Sequence, residues 1–240
     1  MAVATGMCFG TVDTDAVGSG RLPAAICGVA CFKPTYGVLD ASGILGDQPP
    51  PDETIPLLSH PCVTARTPDE VAVMFRPLAG RALAKPGAAR RLGVVTNYHA
   101  TSEIRAAFER CVEALRGLPV EIVEVVAPFD AARFDAASIR RDRADESRDY
   151  FGAVDAFVLP TLTARAPTVE EARAQGELAV SPDNTFFGNY FGFPAINVPA
   201  GWLDDGHPFG VQLVGRRGAD DLVLSLACAS HRAIGAVSGR

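Results

Sequence analysis

One serine hydroxyl set between glycines stands out for its chemistry: Ser19, in the run Thr14–Ala25 that reads T-D-A-V-G-S-G-R-L-P-A-A. Small residues on both sides let the backbone approach another molecule closely and let N–H groups converge on one point. That suits acyl transfer, in which a hydroxyl attacks a carbonyl carbon while backbone donors hold the oxygen that becomes negative. The same run also reads as a glycine-rich surface turn. A serine hydroxyl needs a base to react at neutral pH. The four histidines, His60, His99, His207 and His231, each read as surface residues, and no spacing places one at Ser19. Cys27-x-x-x-Cys31 has no second pair or nearby histidine to complete a ligand set, so no metal is expected. No Gly-Lys-Ser/Thr follows Gly18, and no G-x-G-x-x-G links a strand to a helix, which argues against a nucleotide phosphate loop.

Hydrophobic pattern predicts the elements around this run. Ala2–Phe9 is small and apolar and reads as a buried helix. A turn at Gly18–Arg21 leads into a short helix around Pro23–Cys27, and Val29–Phe32 reads as a buried strand. Asp47–Glu53, with three consecutive prolines, is a loop, and Arg81–Arg91 is an Ala/Gly-rich connector. Thr67-Pro68-Asp69-Glu70 starts a helix carrying Val71, Met74, Phe75 and Leu78 on one face. Strand Leu92–Thr96, amphipathic helix Thr101–Arg116 and strand Glu121–Val126 form a parallel pair with a crossover helix. Ala131–Tyr150 reads as a charged helix with a solvated face of mixed ion pairs. Ala156–Pro160 is a strand, and Asn184–Phe191 an aromatic helix or turn whose Phe186, Phe187, Tyr190 and Phe191 read as core before they read as a pocket wall. Strands Ala195–Ala200 and Phe209–Val214 flank the turn Asp204-Asp205-Gly206, and Asp220–Ile234 is a closing helix.

Composition fits a globular chain with enough apolar material for a core: 240 residues, 48% hydrophobic and 21% charged. A formal net charge of −6 argues against a nucleic-acid partner. Arginines outnumber lysines heavily; Lys33 and Lys85 are the two lysines. Cys8, Cys27, Cys31, Cys62, Cys111 and Cys228 are scattered through apolar runs and read as reduced and largely buried, which implies a cytoplasmic protein. The N-terminal residues lack a signal-peptide pattern, and no apolar run is long enough to span a membrane, so no membrane partner is expected.

Residues Ala2–Gly37 resemble the core signature of the amidase signature enzymes. Thr14-Asp15, Gly18-Ser19, Arg21, Pro23-Ala24-Ala25, Cys27-Gly28 and Lys33-Pro34-Thr35 fall in register with it. Leu159-Pro160-Thr161, F-P-A-I-N-V-P at Phe193–Pro199 and G-V-Q-L-V-G at Gly210–Gly215 are similar to the family's later strands. The resemblance implies one α/β domain over residues 1–240, with a mixed β-sheet core flanked by helices on both faces. It implies Ser19 as nucleophile, the backbone N–H groups of Ala16, Val17, Gly18 and Ser19 as oxyanion donors, and Asp15 and Arg21 as residues that fix the loop. It implies no cofactor, a small-molecule amide substrate, and hydrolysis of a C–N bond through an acyl-enzyme. In that family a bridging serine and a lysine upstream of this segment complete the triad. Both are expected to lie outside this chain, and Lys33 matches a different family position. The chain alone is therefore expected to be inactive, to expose apolar surface, and to associate as a homodimer or with a partner chain supplying the N-terminal part. A non-catalytic remnant is the alternative. The stretch between Val126 and Ala156 is shorter than the family's usual insert, and Val17 replaces a small residue two positions before the nucleophile.

Overall fold

The computed structural model describes residues 1–43, 52–80 and 89–238. In chain order the elements are β1 (Gly10–Asp15), α1 (Arg21–Ile26), β2 (Ala30–Lys33), α2 (Thr54–Leu58), β3 (His60–Ala65), α3 (Pro68–Leu78), β4 (Arg91–Val95) and α4 (Ser102–Leu115). Then follow β5 (Glu121–Val125), α5 (Ala136–Ala144), β6 (Ala156–Pro160), α6 (Val169–Gln175), α7 (Phe186–Tyr190), β7 (Ala195–Trp202), β8 (Pro208–Gly215) and α8 (Asp220–Ser238). Most of the Asp47–Glu53 loop and of the Arg81–Arg91 connector lies outside the described residues.

One mixed eight-stranded sheet runs in the order β1-β3-β2-β7-β8-β6-β4-β5. The β1–β3, β2–β3, β2–β7, β7–β8 and β6–β8 contacts are antiparallel; β4 runs parallel to both β5 and β6. Central strands are buried on both faces, so their side chains alternate between two cores. In β6, Ala156 and Val158 face the core formed with α3, α4 and α8, whereas Phe157 and Leu159 face α5 and α7. The mixed sheet with helices on both faces is thus present. The β4–α4–β5 crossover and the β7–β8 hairpin fall where pattern predicts them. Helix α3 starts with Thr67 and Glu70 in a reciprocal capping box, each side chain bonding the other's backbone N–H. No helix among the described residues is long and apolar enough to cross a membrane.

Three expectations are corrected. Residues 2–9 form turns, not a buried helix: Gly6 takes φ +76°, the bonds Thr5 N–H to Met1 O and Met7 N–H to Ala2 O close single turns, and only Val3 is buried. The Ala131–Tyr150 helix covers only Ala136–Ala144, opened by the Asp135 carboxylate on the Ser138 N–H and closed at Asp145. Its face is not wholly solvated. Asp142 is buried and accepts the Tyr190 hydroxyl at 2.5 Å, and Arg143 donates to the carbonyls of Tyr190 (2.7 Å) and Leu57 (2.9 Å). His60 is buried rather than on the surface, because it opens β3 opposite Asp15 and stacks edge-on against Tyr36 at 5.2 Å.

Candidate active site

Ser19 is exposed on the loop between edge strand β1 and α1. It opens on a groove of about 790 Å³ lined by Thr11, Asp13, Thr14, Pro23, Cys27 and Thr64, among others. Among the described residues its hydroxyl has no hydrogen-bond partner, and the N–H groups of Ala16, Val17, Gly18 and Ser19 donate to no protein acceptor. Backbone donors left open in this way accept whatever oxygen is brought to them.

Two glycines make the loop's path feasible. Gly18 takes φ +133°, where side chains are strained, and a Cβ there would strike Thr185 Oγ1 and come within 2.8 Å of Leu22 Cδ1. A Cβ on Gly20 would come within 2.6 Å of Cys62 Sγ and 2.9 Å of Cys31 Sγ, so the loop rests directly on the β2–β3 surface.

Beneath the loop lies a fully buried polar network. Arg21 Nε pairs with Asp15 Oδ2 at 2.9 Å and Nη2 with Oδ1 at 3.1 Å; both residues are fully buried. The remaining guanidinium donors reach Gln212 Oε1 at 2.9 Å, the Thr185 carbonyl at 3.2 Å and Asn189 Oδ1. Asn189 Nδ2 returns to the Asp15 carbonyl at 2.7 Å and to its carboxylate at 2.9 Å. Thr185 Oγ1 donates to the Val17 carbonyl at 2.6 Å, tying the loop to the start of α7. Burial pushes the Asp15 carboxyl up, but the Arg21 guanidinium outweighs it and holds the group well below the usual carboxylate range. Asp15 is therefore an anion that fixes the loop from below.

The candidate bases lie elsewhere. Lys33 is fully buried and donates to the Phe193 carbonyl, and burial, then the Arg21 charge, lowers its ammonium well below the ordinary value. His60 Nδ1 sits 2.6 Å from the Leu58 carbonyl, its Nε2 is buried without a partner, and burial followed by the Lys33 charge keeps the imidazole neutral. His99 lines a different cleft, His207 sits in the β7–β8 turn beside Asp205, and His231 lies on α8. Lys85 is outside the described residues. No histidine or lysine among the described residues lines the Ser19 groove.

Asp15, Ala16, Val17, Gly18, Ser19 and Arg21 thus come together on one loop and its support. Sequence pattern missed Thr185, Asn189 and Gln212, which complete that support. Gln212 carried a readable signal: a polar residue midway along an otherwise apolar buried strand needs an internal partner. Asn197 on β7 carries the same signal; it accepts from Thr161 Oγ1 at 2.6 Å and donates to the Val29 carbonyl at 2.8 Å. Of the aromatic run, Phe187, Tyr190 and Phe191 are core, while half-buried Phe186 also lines the cleft that holds His99.

The family model described as Amidase matches residues 1–132 and 127–224. The chain is 26% identical to a fatty acid amide hydrolase of Arabidopsis thaliana, covering 95% of this chain and 49% of that protein. It is also 26% identical to one subunit of the glutamyl-tRNA(Gln) amidotransferase of Granulibacter bethesdensis, covering 96% and 63%. Among solved structures it resembles the corresponding amidotransferase subunit from Thermotoga maritima, with TM-score 0.77, 22% identity and coverage of 94% and 62%. It also resembles an allophanate hydrolase of Kluyveromyces lactis, with TM-score 0.76, 18% identity and coverage of 98% and 48%. The structural likenesses speak to the fold. The chain spans about half to under two thirds of these relatives' length. The Arabidopsis alignment runs over 305 positions, more than the chain's own length, and the two pieces of the family match meet at residues 127–132. Both findings agree with a shortened stretch after Val126.

Proposed function

The chain belongs to the amidase family, and from that membership we propose that its site acts on the C–N bond of a small-molecule carboxylic amide, with Ser19 as nucleophile. Ser19 Oγ bonds to the carbonyl carbon while the carbonyl π electrons move onto oxygen. The N–H groups of Ala16, Val17, Gly18 and Ser19 hold that oxyanion, each such donor contributing about 3 kcal/mol in comparable enzymes. Collapse breaks the C–N bond, the amine leaves with a proton, and water releases the acyl group. Asp15 and Arg21 act as positioning residues for the loop. The observation that carries the reading is the exposed Ser19 hydroxyl beside these open N–H groups, on a loop held by a buried ion pair. The reading uses no cofactor and sets the work in the cytoplasm, where free cysteines stay reduced.

The proton leaving Ser19 has no acceptor among the described residues. We therefore take the base to come from a partner chain or a further segment, with negligible turnover by this chain alone. The same observation favours a second reading, a non-catalytic amidase remnant. Purified chain and its Ser19→Ala variant, treated with a fluorophosphonate and analysed by intact mass, separate the two. A single adduct on the wild type, absent in Ser19→Ala, supports the nucleophile; no adduct supports the remnant. Hydrolysis of simple aryl amides that Ser19→Ala abolishes would overturn the external base.

A further inference from the structure

On the α7 side of the loop lies a second cavity of about 410 Å³, lined by Val17, His99, Phe129, Phe134, Phe186 and Phe187. It is separate from the Ser19 groove, yet both meet the same loop: Val17 lines one and Ser19 the other. Two residues apart, their Cα atoms are within about 7 Å. The walls are built. Phe129 and Phe187 meet edge to face at 5.0 Å, and Phe134 lies over Phe186 at 6.1 Å with rings tilted by 31°. The Thr185 hydroxyl holds the Val17 carbonyl, so the aromatic wall of α7 and the loop that carries Ser19 are fixed to each other by one bond. Phe134 is 62% exposed, an energetically poor place for a phenylalanine unless a ligand covers it.

Resting on the amide reading above, the geometry points to this cleft as the seat of an uncharged aryl or arylalkyl arm of the substrate, with the scissile carbonyl lying across Val17 toward Ser19. A cavity of about 150 Å³ already holds benzene, so this one takes a substituted ring and a short chain. The rim selects for charge. Asp130 and Asp183 stand exposed at the lining, and the nearby Arg133 is turned onto the backbone carbonyls of Asp130 and Ala132. A carboxylate-bearing arm meets two like charges there, and a neutral arm does not.

The experiment uses the full chain and two probes. First, 4-phenylbutyramide is titrated by ligand-observed NMR into the wild type and Ser19→Ala. Equal binding to both is expected, with binding weakened about fivefold by Phe134→Ala or Phe186→Ala, since each removes part of the apolar contact. Phe134 is exposed enough that its truncation leaves the fold in place. The anion 4-phenylbutyrate is expected to bind at least about fivefold more weakly, and Asp130→Asn with Asp183→Asn to narrow that gap. Absence of binding, or binding indifferent to both phenylalanines, overturns the cleft. Second, fluorophosphonates carrying a methyl or a 4-phenylbutyl arm are compared on Ser19. Preference for the longer arm that Phe134→Ala removes supports the cleft. Labelling without preference overturns the cleft and leaves the nucleophile standing. Amide binding that follows the phenylalanines, with Ser19 never labelled, overturns the nucleophile and leaves the cleft.

Discussion

The Asp15–Arg21 and Arg91–Glu121 ion pairs have similar chemistry and similar length, 2.9 Å and 2.6 Å, yet they sit in opposite surroundings. The first is fully buried in the antiparallel half of the sheet, beneath the Ser19 loop. The second lies across the parallel β4–β5 edge with its side chains 44% and 55% exposed. In water an ion pair gains little over its hydrated partners; in the interior each charge must be matched or the fold suffers. Arg21 is matched by Asp15, Gln212, Asn189 and a carbonyl, and every one of these contacts comes from a segment that must stay in place for the loop to keep its shape. The antiparallel half therefore holds charge where charge is costly, and the result is a rigid loop. The parallel half keeps its charges outside and is held by apolar packing.

Removing one partner from each pair breaks the comparison most sharply. Arg21→Ala leaves the Asp15 anion buried and is expected to cost about 3–5 kcal/mol, whereas Arg91→Ala is expected to cost less than about 1 kcal/mol. Urea unfolding at pH 7 measures both. Replacing both members by apolar residues, Asp15→Leu with Arg21→Met, is expected to cost less than Arg21→Ala alone, because no charge is stranded. Equal losses for Arg21→Ala and Arg91→Ala would sink the distinction between the halves.

Glycines offer a second contrast. Gly18 and Gly80 both have positive φ, but a Cβ on Gly80 meets nothing within 4 Å while one on Gly18 strikes Thr185 and Leu22. Gly80→Ala is expected to cost about 1 kcal/mol from backbone strain alone. Gly18→Ala adds the collision and is expected to cost up to about 3 kcal/mol, with loss of fluorophosphonate labelling. Labelling that survives Gly18→Ala would show that the loop tolerates another path.

The buried imidazole sharpens the contrast through pH. His60 has a folded pKa well below its ordinary 6.5, held down by burial and by Lys33, with Arg143 also against it and Asp15 favouring the charge. A depressed pKa means the unfolded chain binds the proton first, so stability falls as pH drops below 6.5 toward the folded value. One proton sets an upper slope of about 1.4 kcal/mol per pH unit. Asp15 contributes in the same direction, but only below its ordinary 3.8. Lys33 also acts in that direction, in a window beneath 10.5. Unfolding free energies between pH 6.5 and 5 are expected to slope in the wild type and flatten in His60→Gln, which leaves Lys33 in place. An unchanged slope would assign the effect to other groups.

The parallel half and the β7–β8 hairpin were legible because period and turn chemistry agree there. Helix α4 carries its apolar stripe between Thr101 and Arg116, and Asp204-Asp205-Gly206 marks the hairpin turn. The Ser19 loop was legible from its glycines and its family signature. Strands β1 and β3 were not. Edge strand β1 alternates polar residues over an open face, and β3 contains Pro61, which reads against a strand. The register explains the tolerance: β2 pairs with β3 only over Val63–Ala65, so Pro61 lies where β3 has β1 as its one neighbour. The support under the loop was illegible for a different reason. Asn189 and Gln212 meet Arg21 across more than 160 residues of chain, a closeness that no local pattern encodes.

The smallest expected effect tests whether the halves are independent. Thr101 caps α4 through its side chain on the Ile104 N–H, and Thr67 caps α3, whose Phe75 packs edge-on against Phe32 of β2 at 4.9 Å. Each Thr→Ala change is expected to cost about 1 kcal/mol. The two sites share no partner, so the double variant is expected to lose their sum to within about 0.5 kcal/mol. Neither change touches the Arg21 network, so the rate of Ser19 labelling is expected to stay at the wild-type value in both. A slower rate in Thr67→Ala alone would mean that α3 steadies the loop through β2 and β3. A slower rate in Thr101→Ala would mean that the apolar half reaches the site as well, and that the rigidity of the loop belongs to the whole sheet rather than to the charges beneath it.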